Sequence, residues 1–189
     1  MNHTKMLMQS PKSLGNSVGQ FNPDGINLSW LKNPSPSIKV PDFTIQVDRA
    51  TRPTYPKWFE GLINPELEQT GPIQYDLRRD VQPWLHDQQK KKSEAVKGYL
   101  VYKHLKRTGA LTSCLNLQDG LAIMQKGVDV FRSLFKGKTP PLWGSVVQRS
   151  PGELRVPCLF DHDVAIVIMW VSLAFSLSID EPTLFHYGN

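Results

Sequence analysis

An α+β fold is what this sequence predicts: a single compact domain with two main helices packed on a small antiparallel sheet, preceded by a mobile N-terminal arm. Three observations predict it. Residues 118–136 place apolar side chains every three or four positions, as one face of a helix does. Residues 153–179 instead alternate and are rich in β-branched side chains, as strands are. Residues 1–40 are rich in Pro, Ser, Asn and Gly and show no sustained apolar period, so burial cannot offset their ordering entropy.

Each element follows from its local pattern. Within the basic arm, residues 1–40, Phe21, Trp30 and Leu31 are isolated apolar side chains, the candidate points for docking on partner chains, host proteins among them, or on the domain's own surface. The globular part, residues 41–189, opens with DFTIQVD, where Phe43, Ile45 and Val47 share one face of a strand. Pro53, Pro56, Pro65, Pro72 and Pro83 then allow only short elements, with brief helical turns predicted over Trp58 to Leu62. Ser93 starts a helix that Gly109 stops, with Val96, Tyr99, Leu100 and Leu105 as its apolar stripe. The second helix runs from about Gln118 to Lys136 and turns Leu117, Leu121, Met124, Val128, Phe131 and Phe135 inward, with Gly137 as terminator. A three-stranded meander follows: WGSVVQR, the turn RSPGE, ELRVPCLF, the polar turn Asp161-His162-Asp163, and the apolar run from Val164 to Ile179. Pro157 removes a ladder donor, which places its strand at an edge or a bulge. The end, SIDEPTLFHYGN, is expected to be a short turn or helix folded back on the domain.

Charge narrows the function classes. The chain of 189 residues is 40% hydrophobic, enough for a real core, and its formal charge of +5 and pI of 9.2 favour acidic partners. The excess is concentrated in KKKSEAVKGYLVYKHLKRTG, Lys90 to Gly109, which carries seven Lys or Arg and one acid. Residues 58–89 and 141–189, both net acidic, flank the basic centre, a pattern that favours self-association. Lys90, Lys91, Lys92, Lys97, Lys103, Lys106 and Arg107, with Lys136 and Lys138 beside them, form either a solvated helical face or the candidate face for an anionic membrane, a nucleocapsid or RNA. Tyr102 is the candidate for base stacking.

Catalytic patterns are weaker. Cys114 and Cys158 lie among apolar neighbours without zinc-ligand spacing, and read as reduced core residues. Cys158 with Asp161, His162 and Asp163 is the one nucleophile-and-base grouping, but a strand would face the thiol inward and leave His162 in the turn. KGKTPP lacks the first glycine of a phosphate loop, since Arg132 stands there, and it follows a helix rather than opening one. His86, His104 and His186 have no partner at ligand spacing, and Glu60, Glu66, Glu68, Asp76 and Asp80 are scattered. The expectation is a protein without catalysis, cofactor or metal; a nucleic-acid-binding or host-suppressing accessory protein and a small Cys-dependent hydrolase are the alternatives.

The N-terminus lacks a signal-peptide core, and the sixteen-residue apolar run is short of the roughly 20 residues that span a bilayer. The expected location is intracellular, in host cytoplasm or nucleus, without secretion or a transmembrane helix. Gly137 to Pro141, GKTPP, running through Leu142 and Trp143 into a meander behind a basic Pro-rich arm, resembles the small matrix proteins of rhabdoviruses. No PPxY or PTAP sequence stands in the arm; Arg52-Pro53-Thr54-Tyr55-Pro56 is the nearest stretch. The resemblance implies a non-enzymatic virion protein that joins a nucleocapsid to a membrane, self-associates and acts on host functions.

Overall fold

Residues 41–91 and 94–187 are described in the computed structural model of the protein. Phe21, Trp30, Leu31, Lys92 and Ser93 lie outside the described residues. The DFTIQVD alternation forms β1 (Thr44–Gln46) and buries Phe43, Ile45 and Val47 together. Over Trp58 to Leu62 there is a short strand, β2 (Gly61–Leu62), instead of the predicted helical turns, and a single 3-10 turn follows at Pro65–Leu67. The reason is a distant partner, because Gly61 and Leu62 pair with Gln148 and Val147. β3 (Gln74–Asp76) pairs antiparallel with β1, setting Ile45 opposite Tyr75, and β4 (Val81–Trp84) follows.

The helices depart from the predicted pair. α1 (Asp87–Lys90) is one turn, capped by His86. Val96–Lys97 form β5, and α2 (Gly98–Thr108) starts at Gly98, later than the Ser93 start predicted. Gly109 stops it as predicted, with φ 74 in the left-handed region that a glycine C-cap favours. The inward stripe is also rotated: Val101, Tyr102 and Leu105 are buried, whereas Tyr99 and Leu100 face out. The second predicted helix is two, α3 (Leu117–Lys126) and α4 (Val128–Phe135). Gly127 breaks it with φ 106 and ψ 160, a backbone conformation that side-chain-bearing residues avoid. Phe131 and Phe135 are buried as the spacing predicts, while Leu121, Met124 and Val128 are only half-buried.

The meander is present as β6 (Val147–Ser150), β7 (Glu153–His162) and β8 (Ala165–Ser172), in a four-stranded antiparallel sheet of order β2-β6-β7-β8. β7 is therefore an interior strand, not the edge that is one of the two placements expected from Pro157; the β6–β7 register does shift, between Gln148 and Ser150. Pro157 is accommodated because β6 pairs only with Glu153, Leu154 and Arg155. Farther along, the Pro157 carbonyl accepts the Leu142 N–H at 2.8 Å from an irregular segment, where no donor from Pro157 is required. β7 also runs on through His162, so the turn is Asp163–Val164, with Asp163 at φ 38. β8 covers only half of the apolar run and is an edge strand, which leaves Met169 and the preceding Val164 exposed. β9 (Ser176–Leu177) pairs with β5. The C-terminus is a strand, β10 (Thr183–His186), rather than a turn or helix, because it finds β4 as its antiparallel partner.

Two apolar clusters result. One packs Ile45 and Leu77 with Ile123 and Phe131 of the helices and Leu159 and Ile166 of the sheet. The other sets Val101, Tyr102 and Leu105 of α2 against Trp143, Val156 and Cys158. A buried polar network ties the segment after β1 to the start of α3. Arg49 donates to Asp119 Oδ1 at 2.6 Å, to Asn116 Oδ1 at 2.9 Å and to the Pro72 carbonyl at 3.1 Å. Asn116 and Asp119 cap α3 reciprocally, and the Asn116 amide also donates to the Leu67, Glu68 and Thr70 carbonyls. Burial, and after it the charge of Asp119, push the nearby Tyr75 hydroxyl well above its ordinary value.

Candidate functional site

α2 carries the candidate face, and its docking explains which residues are presented. The Gly98 N–H donates to the Phe175 carbonyl and the Tyr99 N–H to the Leu173 carbonyl, each at 2.9 Å. A Cβ on Gly98 would lie 3.0 Å from the Leu173 carbonyl oxygen and 3.2 Å from its Cα, so glycine permits this close approach. Inside, Tyr102 stacks on Trp143 with ring centroids 6.2 Å apart and accepts a hydrogen bond from Asn64 at 2.7 Å. It is buried and so cannot stack on a base, contrary to the sequence reading. Tyr99, 52% exposed, and Leu100, 39% exposed, are the apolar side chains that α2 does present. Phe175, 65% exposed, lies in the turn that holds the helix start.

The predicted cations divide into two groups. Lys90 pairs with Asp87 at 2.8 Å, Lys91 with Glu94 at 3.3 Å, and Lys138 with Asp180 at 2.8 Å, so much of their field is locally neutralised. Lys97, Lys103, Lys106 and Arg107 are exposed and make no ion pair among the described residues. Lys136 is exposed just past the end of α4, where Gly137 adopts φ 72, the helix-terminating role predicted for it. Lys90 and Lys138 instead flank an apolar groove of about 400 Å³ with Trp84, Leu134 and Ile179.

Beside α2 lies a cleft of about 320 Å³, lined by His86, Gln88, Leu100, Lys103, His104 and Arg107. His86 Nδ1 accepts the Gln88 N–H at 3.3 Å, and the Gln89 side chain accepts the His86 N–H at 3.0 Å. The two imidazoles stand edge to face with centroids 5.2 Å apart, and Trp84 stacks on His104 at 5.5 Å. Burial, followed by the charge of His104, lowers the pKa of His86. Read along the chain, these histidines are solitary. They meet because α1 and α2 converge around Trp84, and nothing in the one-dimensional spacing carries that signal.

The Cys158 grouping is drawn apart. Cys158 is fully buried opposite Met169, and burial pushes its thiol far up from its ordinary value. His162 lies four residues farther along β7, about 13 Å of strand rise away, and is exposed. Asp161 is held by the Arg132 guanidinium at 2.7 and 2.8 Å, with Arg132 also reaching the Asp163 carbonyl. Cys114 is likewise buried. The Arg52–Pro56 stretch is folded into the domain, with the Tyr55 hydroxyl donating to Glu68 at 2.6 Å and its ring stacked on Phe59 at 4.1 Å. Among the described residues no helix is long and apolar enough to cross a membrane, and no three His, Cys, Asp or Glu are grouped as metal ligands. No protein-family model matches the chain, and no curated protein and no solved structure matches it.

Proposed function

We propose that this chain is a non-catalytic interaction protein of the viral matrix kind, which binds an anionic membrane surface through the outer face of α2. One observation carries the reading: Lys103, Lys106 and Arg107, free of ion pairs among the described residues, share that face with exposed Tyr99 and Leu100, and Lys97 stands exposed just before the helix. A merely solvated face gains nothing from exposed apolar side chains. An interfacial one does, because the rings and Leu100 enter the headgroup boundary while the cations meet lipid phosphates. Each Lys or Arg near an anionic bilayer contributes about 1 kcal/mol, so the three on this face account for binding that is useful and salt-sensitive. Leu100 and the half-covered Tyr99 favour lipid over nucleic acid, since a base stacks on an open aromatic face. In this reading Phe21, Trp30 and Leu31 recruit a nucleocapsid or host partner, and the alternating charge of the chain supports self-association.

The test is co-sedimentation with phosphatidylcholine vesicles, with and without phosphatidylserine, alongside duplex and single-stranded RNA, each over a salt series. Binding to the phosphatidylserine vesicles is expected, and it should fall about a hundredfold when Lys103, Lys106 and Arg107 are all changed to Gln. Binding to RNA with none to the vesicles would replace this reading with the nucleic-acid one.

A further inference from the structure

The cleft between α1 and α2 gathers basic groups in a way that the flat face does not require. Lys103 and Arg107 stand one helical turn apart, His104 lies between them, and His86 enters from the neighbouring element. No carboxylate lines the cleft among the described residues. The nearest acid in sequence, Asp87, is engaged with Lys90 at 2.8 Å and points into solvent. His86 uses Nδ1 to accept the Gln88 amide, which leaves its proton on Nε2 as a donor. The His104 ring makes no hydrogen bond among the described residues, and Trp84 stacked on it fixes its plane. Two imidazoles, a guanidinium and an ammonium around one concavity present several N–H donors and, among the described residues, no carboxylate. The Lys103 and Arg107 cations repel each other until an anion with several oxygens enters.

We propose that this cleft is a phosphate pocket that takes the phosphomonoester of an acidic lipid headgroup, with Arg107 and Lys103 supplying charge and His86 and His104 supplying oriented donors. The lipid as source rests on the membrane reading above, whereas the pocket itself stands on the clustering of these four side chains. A phosphomonoester presents three terminal oxygens and up to two negative charges. A phosphodiester presents two oxygens and one charge, and so engages fewer of the donors.

The experiment compares the full chain on phosphatidylcholine vesicles doped with phosphatidic acid, a phosphomonoester, or with phosphatidylserine, a phosphodiester, at equal surface charge. Phosphatidic acid should be preferred by about tenfold, the value of one additional charge-assisted hydrogen bond. Arg107→Gln and Lys106→Gln remove the same charge from adjacent exposed positions, and neither disturbs the core. Arg107→Gln should abolish the preference. Lys106→Gln, outside the cleft, should weaken both vesicles alike and keep it. Inorganic phosphate, against chloride at matched ionic strength, should shift the His86 and His104 imidazole resonances and leave His162 unmoved. Equal binding to both lipids, or equal loss of preference in both variants, overturns the pocket and leaves the membrane face standing. Imidazole shifts with phosphate but no binding to either vesicle would uphold the pocket and overturn the membrane reading.

Discussion

Replacing Asp119 with Ala should be among the most destabilising changes available in this protein. Asp119 is 1% exposed, and its two oxygens hold Arg49 at 2.6 Å and the Asn116 N–H at 2.9 Å. Removing the carboxylate leaves a buried guanidinium facing Asn116 and the Pro72 carbonyl without a counter-charge, which costs about 3 to 5 kcal/mol. Loss of half of the α3 capping box adds about 1 kcal/mol, although the two losses share one group and do not sum fully. The total of about 4 kcal/mol is a large part of a domain's usual 5 to 15. Urea denaturation at constant pH measures it as a fall in midpoint with unchanged slope. Asp119→Asn separates charge from capping, and Arg49→Met combined with Asp119→Ala should cost less than the two single changes together, because no charge is then left buried. Lys126→Ala is the control: its pair with Asp42 is at the surface, and should be worth less than about 1 kcal/mol. An Asp119→Ala protein whose stability lies within about 0.5 kcal/mol of the parent would refute the role given to the Arg49–Asn116–Asp119 network, and with it the account of how the segment after β1 is held.

Two further outcomes follow from burial and charge. Phe131 is fully buried where the α4 face meets the first core, so Phe131→Ala should cost about 3 to 5 kcal/mol, read as reduced soluble yield and a lower urea midpoint. Asp42, through its hydrogen bonds with Lys126 and Thr44, and Asp80, through Arg79, both have pKa values lowered from 3.8 to about 2. The folded state thus binds fewer protons than the unfolded one, and their stabilisation is complete above pH 3.8 and lost as pH falls to about 2. Urea midpoints across that window should decline with acid, and Lys126→Ala should reduce the Asp42 part of the decline, leaving the share that Thr44 supplies.

Local pattern was enough for several parts of this molecule. The alternation of Phe43, Ile45 and Val47 specified a strand and its buried face, and the β7–β8 hairpin follows from two β-rich runs joined by a polar turn. Gly109 and Gly137 ended helices where they stand, because a left-handed residue is a property of one position and its immediate neighbours. The cluster of basic residues on and before α2 was likewise legible as composition. Which of those cations remain free was decided only in three dimensions, by the placement of Asp87, Glu94 and Asp180. The face that α2 turns outward was also a tertiary choice. Periodicity offers an apolar arc, but the contact of Gly98 with the Leu173–Phe175 turn sets the rotation that exposes Tyr99 and Leu100. TLFH became a strand because VQPW lay free to pair with it, and Arg49 met Asp119 across 70 residues. The candidate pocket belongs to this second class. His86 caps α1 and His104 lies on α2, and only the packing around Trp84 brings them into one cleft.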